Sequence, residues 1–113
     1  MANDWIYEKA NALVKKYFTR DPLELTQILN IHLEEINNTT VLLGMYQIIQ
    51  RNRFIFLSSN LHPNIRKVVL AHEIGHDQLH RKYAKQNAFH EVSIFREVNH
   101  YEIEANIFAA HLL

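Results

Sequence analysis

Residues 63–81, PNIRKVVLAHEIGHDQLHR, constrain the fold more than any other stretch of the chain. Ile65, Val68, Val69, His72, Ile74 and His76 mark the inner side of a helix that Pro63 opens at its first position. Imidazoles and a mid-helix glycine are mediocre helix formers, so something other than helix propensity placed them there. Gly75 costs about 1 kcal/mol relative to alanine in a helix interior, which predicts that another backbone or a substrate passes close by.

The flanking segments supply candidates to cover this helix. Trp5, Ile6, Ala10, Leu13, Val14 and Tyr17 recur at spacings of three and four, predicting an amphipathic helix over 4–19. Asp21-Pro22 provides a cap and a first-turn proline for a short helix through Leu29. Apolar, β-branched and aromatic runs follow at 31–36, 41–49 and 54–57, with Asn37-Asn38 and QRNR as turns. They read as three short, mostly antiparallel strands. Gly44 within the second marks a bulge or a close backbone approach. Residues 82–95 are a polar loop or a short extra turn. Tyr101, Ala105, Phe108, Ala109 and Leu112 make a second helical stripe from about Glu97 to the end. Helices, a small sheet and two further helices give an α+β class, expected as one domain over 1–113.

Composition removes several functions. The formal net charge is zero, and the basic pieces Arg51-Asn52-Arg53 and Arg81-Lys82 are too short for a nucleic-acid footprint. There is no cysteine, hence no disulfide and no thiolate metal site. No apolar run approaches the roughly 20 residues of a membrane span. Asp4, Glu8 and Lys9 interrupt the N-terminal apolar residues, unlike a signal peptide. A cytoplasmic protein without direct nucleic-acid or membrane contact is expected, its oligomeric state open.

His72, Glu73 and His76 form the pattern H-E-x-x-H. Imidazoles four residues apart share a helix face and can converge on one ion at about 2.0–2.1 Å. Glu73 lies roughly 100° further round, placed to reach a water on the ion's open side and take its proton. Metal-assisted amide hydrolysis is the chemistry this arrangement offers. His80 sits about 12 Å of helix rise from His72, too far to join the same ion, and is read as packing, a helix cap or a hydrogen-bond partner. The third ligand is expected to be a glutamate of the last helix. Glu104, flanked by Ala105, Ala109 and Ala110, is the first choice, and Glu102, read as pointing to nearly the opposite face, the alternative. Zinc is the expected ion, with manganese and iron compatible with the ligand types. Asn106 and Asp77 are candidate acceptors for the imidazole N–H groups, and Tyr83 or Tyr101 candidate oxyanion partners. His32, His62, His90 and His111 are read as surface or structural residues, and His100 as a residue lining the cleft.

AHEIGHDQLH and YEIEANIFAAHLL, taken together, resemble the ImmA/IrrE family of zinc-dependent metallopeptidases. The resemblance implies a minimal gluzincin-like layout, zinc on His72, His76 and Glu104, and catalysis by Glu73. It also implies a phage or mobile-element antirepressor that cleaves a helix-turn-helix repressor. The chain stops directly after the second block, where relatives usually continue, so it is expected to be a short member or one truncated at its C-terminus. A binding module of the same fold, which derepresses by sequestering its partner, is the alternative. A weaker one is a histidine-rich structural domain with an accidental motif.

Overall fold

The computed structural model describes residues 3–37, 42–91 and 99–113, and over these the chain is α+β. Helix α1 (Asp4–Tyr17) forms where the three-and-four spacing predicts it and buries Ile6, Ala10 and Leu13. Helix α2 (Pro22–Ile28) begins as its sequence dictates. The Asp21 side chain accepts the Leu23 N–H, and Pro22 takes the first position, where its missing N–H costs nothing.

Strands β1 (His32–Ile36), β2 (Gly44–Ile49), β3 (Asn52–Ser58) and β4 (Phe89–Glu91) form one sheet in the order β1-β3-β2-β4. β2 and β3 pair antiparallel across Gln50-Arg51, whose φ angles of 50° and 69° suit the twist of a two-residue hairpin. β2 and β4 are also antiparallel, but β1 and β3 run parallel. The expected three-stranded, mostly antiparallel sheet is therefore corrected to a four-stranded mixed one. Burial explains the order. β3 carries buried Ile55, Leu57 and Ser58 and takes an interior place between β1 and β2. β1 exposes His32, Glu34 and Glu35 and lies at an edge, where charge discourages further pairing. β4, at the other edge, is only three residues long, too short to print a periodicity in the sequence.

Helix α3 (Pro63–Leu79) is capped by His62, whose Nδ1 accepts the Asn64 N–H. It ends at Leu79 with His80 as its C-cap, slightly before the expected 81, and α4 (Arg81–Ala84) follows as the short extra turn. Helix α5 (His100–Leu112) is capped by Asn99, whose side chain accepts the Glu102 N–H. α3 packs on α5 and on strands β2 and β3, and α1 packs on α5. Val69, Leu70, Ala71 and Ile74 of α3 share the core with Tyr46, Ile55, Leu57, Phe108 and Leu112. Gly75 meets the close approach its place predicts: a Cβ there would lie 3.1 Å from Ala105 O and 3.2 Å from Ala105 Cα. The backbone that passes it belongs to α5. Of the expected features, Asn38 of the turn, Val41 of the second strand, residues 92–95 of the ambiguous stretch and Glu97 at the last helix start lie outside the described residues. No described helix is long and apolar enough to cross a membrane.

Candidate metal centre

Three elements bring four side chains to one point. α3 contributes His72 and His76, α5 contributes Glu102 and β4 contributes Glu91; one ligand atom from each lies within 4.8 Å of the others. His72 Nε2 is 2.9 Å from Glu102 Oε1 and 3.2 Å from Glu91 Oε1. His76 Nε2 is 3.1 Å from the same Glu91 oxygen and 3.3 Å from the same Glu102 oxygen. Both imidazoles are wholly buried, as is Glu73, while Glu91 is 3% exposed. The Glu102 side chain retains 14% of its exposure, so even the most open of these groups is mostly covered.

The outward nitrogens fix the rings. His72 Nδ1 donates to Asn106 Oδ1 at 2.8 Å, because an amide oxygen only accepts. Glu102 and Asn106, one turn apart on α5, thus address both nitrogens of His72. His80 Nε2 donates to Glu104 Oε1 at 2.8 Å, which leaves His80 Nδ1 as acceptor for the Nδ1–H of His76 at 3.0 Å. Burial lowers the His80 pKa against the opposing pull of Glu104, consistent with a neutral ring in this relay. His76 is therefore left with its Nε2 lone pair directed at the cluster.

This geometry separates the two glutamates of α5 differently from the sequence reading. The carboxylate of Glu104, expected beside His72 and His76, binds His80 instead, and Glu102 occupies the place expected for Glu104. The small residues were a correct marker of the contact between helices, since Ala105 and Ala109 are buried. Glu102 shares their face, lying three residues before Ala105 and four before Asn106. Asn106 accepts from His72 as expected, whereas Asp77 is taken by other partners. Arg53 Nη1 donates to both Asp77 oxygens, at 2.9 and 3.1 Å, and the Tyr46 hydroxyl donates to Asp77 Oδ1 at 2.6 Å. The rings of Tyr83 and Tyr101 meet at a 32° tilt with centroids 4.4 Å apart, and Tyr101 also meets His80. His32, His62, His90 and His111 are exposed, as expected. His100 is exposed as well, its ring 3.9 Å from that of Tyr101. Glu91 had no part in the sequence reading. Its only sequence signal is the alternation in Phe89-His90-Glu91, too brief to identify a strand.

The electrostatics follow from crowding carboxylates and imidazoles away from water. Burial pushes the His72 pKa down, but hydrogen bonds to Glu102 and Glu91 outweigh it and raise the value to about 9. Burial likewise pushes Glu91 up, and its bonds with His72 and His76 reverse this, holding it well below the usual carboxylate range. Among the described residues, no cation offsets burial at Glu73. Burial first, then the charge of Glu91, raises its pKa well above that of an ordinary glutamate. A Cβ on Gly44 would lie 2.8 Å from Glu73 Oε2, so the close approach expected at Gly44 is that of this carboxyl group. Among the described residues, both oxygens of Glu73 and Oε2 of Glu91 are buried without a hydrogen-bond partner. Buried polar atoms are nearly always satisfied, and two imidazole nitrogens with two carboxylate oxygens are the donor set of a divalent cation. The residues present fit a metal ion.

An α+β domain whose main helix bears paired histidines over a mixed sheet, joined by a glutamate from a crossing helix, is the class defined by this fold and cluster. Residues 26–113 match the IrrE N-terminal-like domain, a peptidase family, and the chain belongs to that family. It is also similar to a protein of Bacillus phage phi105 named uncharacterized immunity region protein 2, with 41% identity over 101 residues. That match covers 89% of this chain but 63% of the phage protein, so the chain spans less than two thirds of the relative's length.

Proposed function

We propose that this chain is a zinc-dependent endopeptidase of the ImmA/IrrE type, a minimal gluzincin-like domain from a phage or mobile element. Its substrate is a helix-turn-helix transcriptional repressor, whose cleavage releases the element's genes. The observation that carries this reading is the convergence of His72, His76 and Glu102 on one point, with Glu73 beside the first histidine. The phage relative's name, which refers to an immunity region, supports the choice of substrate.

His72 Nε2, His76 Nε2 and Glu102 Oε1 would hold the ion. A divalent cation there supplies Lewis acidity to the scissile carbonyl and to the attacking water. Asn106, and His80 backed by Glu104, keep both rings in the tautomer that leaves Nε2 free. Glu73 accepts a proton more readily than an ordinary glutamate, because burial and then the charge of Glu91 disfavour its carboxylate form. It can then pass that proton to the leaving amine. Gly44 leaves room for its carboxyl group where any side chain would intrude.

Purified chain, zinc and candidate helix-turn-helix repressors provide the test, read by mass spectrometry of the products. His72→Ala is expected to lose both metal and cleavage. Glu73→Gln is expected to keep metal while cleavage falls about 100-fold or more. Normal cleavage by Glu73→Gln would remove the proton-transfer role. The burial of His72, His76, Glu73 and Glu91 favours a second reading, in which the same fold binds and sequesters a repressor without hydrolysis.

A further inference from the structure

A peptidase centre needs one face of its ion open to substrate, and here that face is covered. The cover is Glu91. Its Oε1 lies 3.2 Å from His72 Nε2 and 3.1 Å from His76 Nε2, as close to the two rings as the Glu102 oxygen is. It arrives from the sheet, on the side of β2, while Glu102 arrives from α5. Two carboxylates from different elements thus address the same pair of nitrogens, where a three-residue catalytic set needs only one.

β4 is held by a short backbone ladder and by Phe89, which is buried in the core. It pairs with β2 over Gly44–Glu91, Met45–His90 and Tyr46–Phe89, and the Leu43 N–H donates to Glu91 O at 2.7 Å. Phe89 adds a ring stacked on His76, with centroids 3.8 Å apart and planes 7° from parallel. A three-residue edge strand is a small element, and its departure would expose the β2 edge, where an extended polypeptide can pair. The same departure would withdraw Glu91 from the cluster and leave Glu73 facing the vacated space. Segment and substrate would then compete for one place.

We propose that Glu91 is a fourth protein ligand to the ion and that β4, by carrying it, holds the centre in a latent, closed state that opens when β4 leaves β2. This rests on the metal-centre reading above. Glu91 Oε1 takes the position that substrate must reach, and β4 takes the lane along β2 in which an extended substrate would lie.

Cobalt-loaded protein tests the proposal through its visible absorption, with acetohydroxamate as a probe that needs an open position on the ion. The wild-type protein is expected to show a four-coordinate spectrum that responds only weakly to the probe. Glu91→Gln and the shorter, still acidic Glu91→Asp are expected to bind acetohydroxamate at least about tenfold more tightly. Immediate tight binding by wild-type protein would overturn the proposal, whether or not the variants fold. Variants that retain cobalt and fold, but match the wild type in spectrum and probe affinity, would overturn it too. In both cases the metal-centre reading survives. Failure of the wild type to take up cobalt would remove both together.

Discussion

At the scale of single residues, the two glutamates of α5 have separable jobs. Glu102 touches the nitrogens that face the cluster, and Glu104 hydrogen-bonds to His80, which in turn orients His76. Glu102→Ala should therefore nearly abolish zinc retention against a chelating dye. Glu104→Gln should weaken it by about 10–100-fold, the usual cost of losing a group that orients a ligand. Equal losses in the two variants would contradict this division. The histidines also set a pH dependence for protein stripped of metal. His72 has an ordinary pKa of 6.5 and a folded value of about 9, so its contribution to stability is complete below 6.5 and disappears as pH rises through 9. Glu73 acts in the same direction, because a carboxyl raised by burial favours the folded state only while protonated. The Tm of metal-free protein is expected to fall between pH 6.5 and 9. Zinc affinity should instead climb over the same range, since the ion displaces the His72 proton. A metal-free Tm that rises across this window would refute the pairing of His72 with the two carboxylates.

At the scale of elements, the crossing of α3 over α5 decides the geometry. Gly75 permits it, with Ala105 O, Ala105 Cα and Phe108 Cβ at 3.1–3.3 Å from where a Cβ would stand. The first two are helix backbone and cannot turn aside. Gly75→Ala gains about 1 kcal/mol of helix propensity but must push α5 away, at a cost of about 1–3 kcal/mol. The expected outcome is a lower Tm together with weaker zinc binding, because α5 carries Glu102 and Asn106; an unchanged Tm and affinity would show that α5 yields freely. This crossing was legible in the sequence: the 3.6-residue period of α3 and α5 is long enough to read, and the glycine announced a neighbour. The choice of glutamate was not, since small residues mark a contact but leave its rotation by one side chain undecided. Nor was the parallel pairing of β1 with β3, which depends on which strand buries most and not on any local turn. Glu91 escaped for a simpler reason: a three-residue strand has no period, and its partner β2 lies more than forty positions earlier in the chain.

At the scale of the whole molecule, hydrolysis and sequestration differ in stoichiometry. One peptidase molecule inactivates many repressors in succession, whereas a sequestering module is consumed by each partner it holds. The enclosed centre is compatible with either, because burial of His72, His76 and Glu91 blocks substrate only while β4 stays in place. A purified transcription reaction driven from a repressor-controlled promoter separates them when the chain is added at increasing ratios to repressor. Hydrolysis predicts that transcription recovers with the chain well below equimolar, and that recovery grows with time. It also predicts that recovery with Glu73→Gln at substoichiometric ratios is slower by about 100-fold or more, since that change removes the proton acceptor while leaving His72, His76 and Glu102 in place. Sequestration predicts recovery only as the chain approaches the repressor concentration, independent of time, and the same curve for Glu73→Gln. Identical, time-independent curves for the two proteins would therefore retire the peptidase reading while leaving the metal centre and its closure by Glu91 intact.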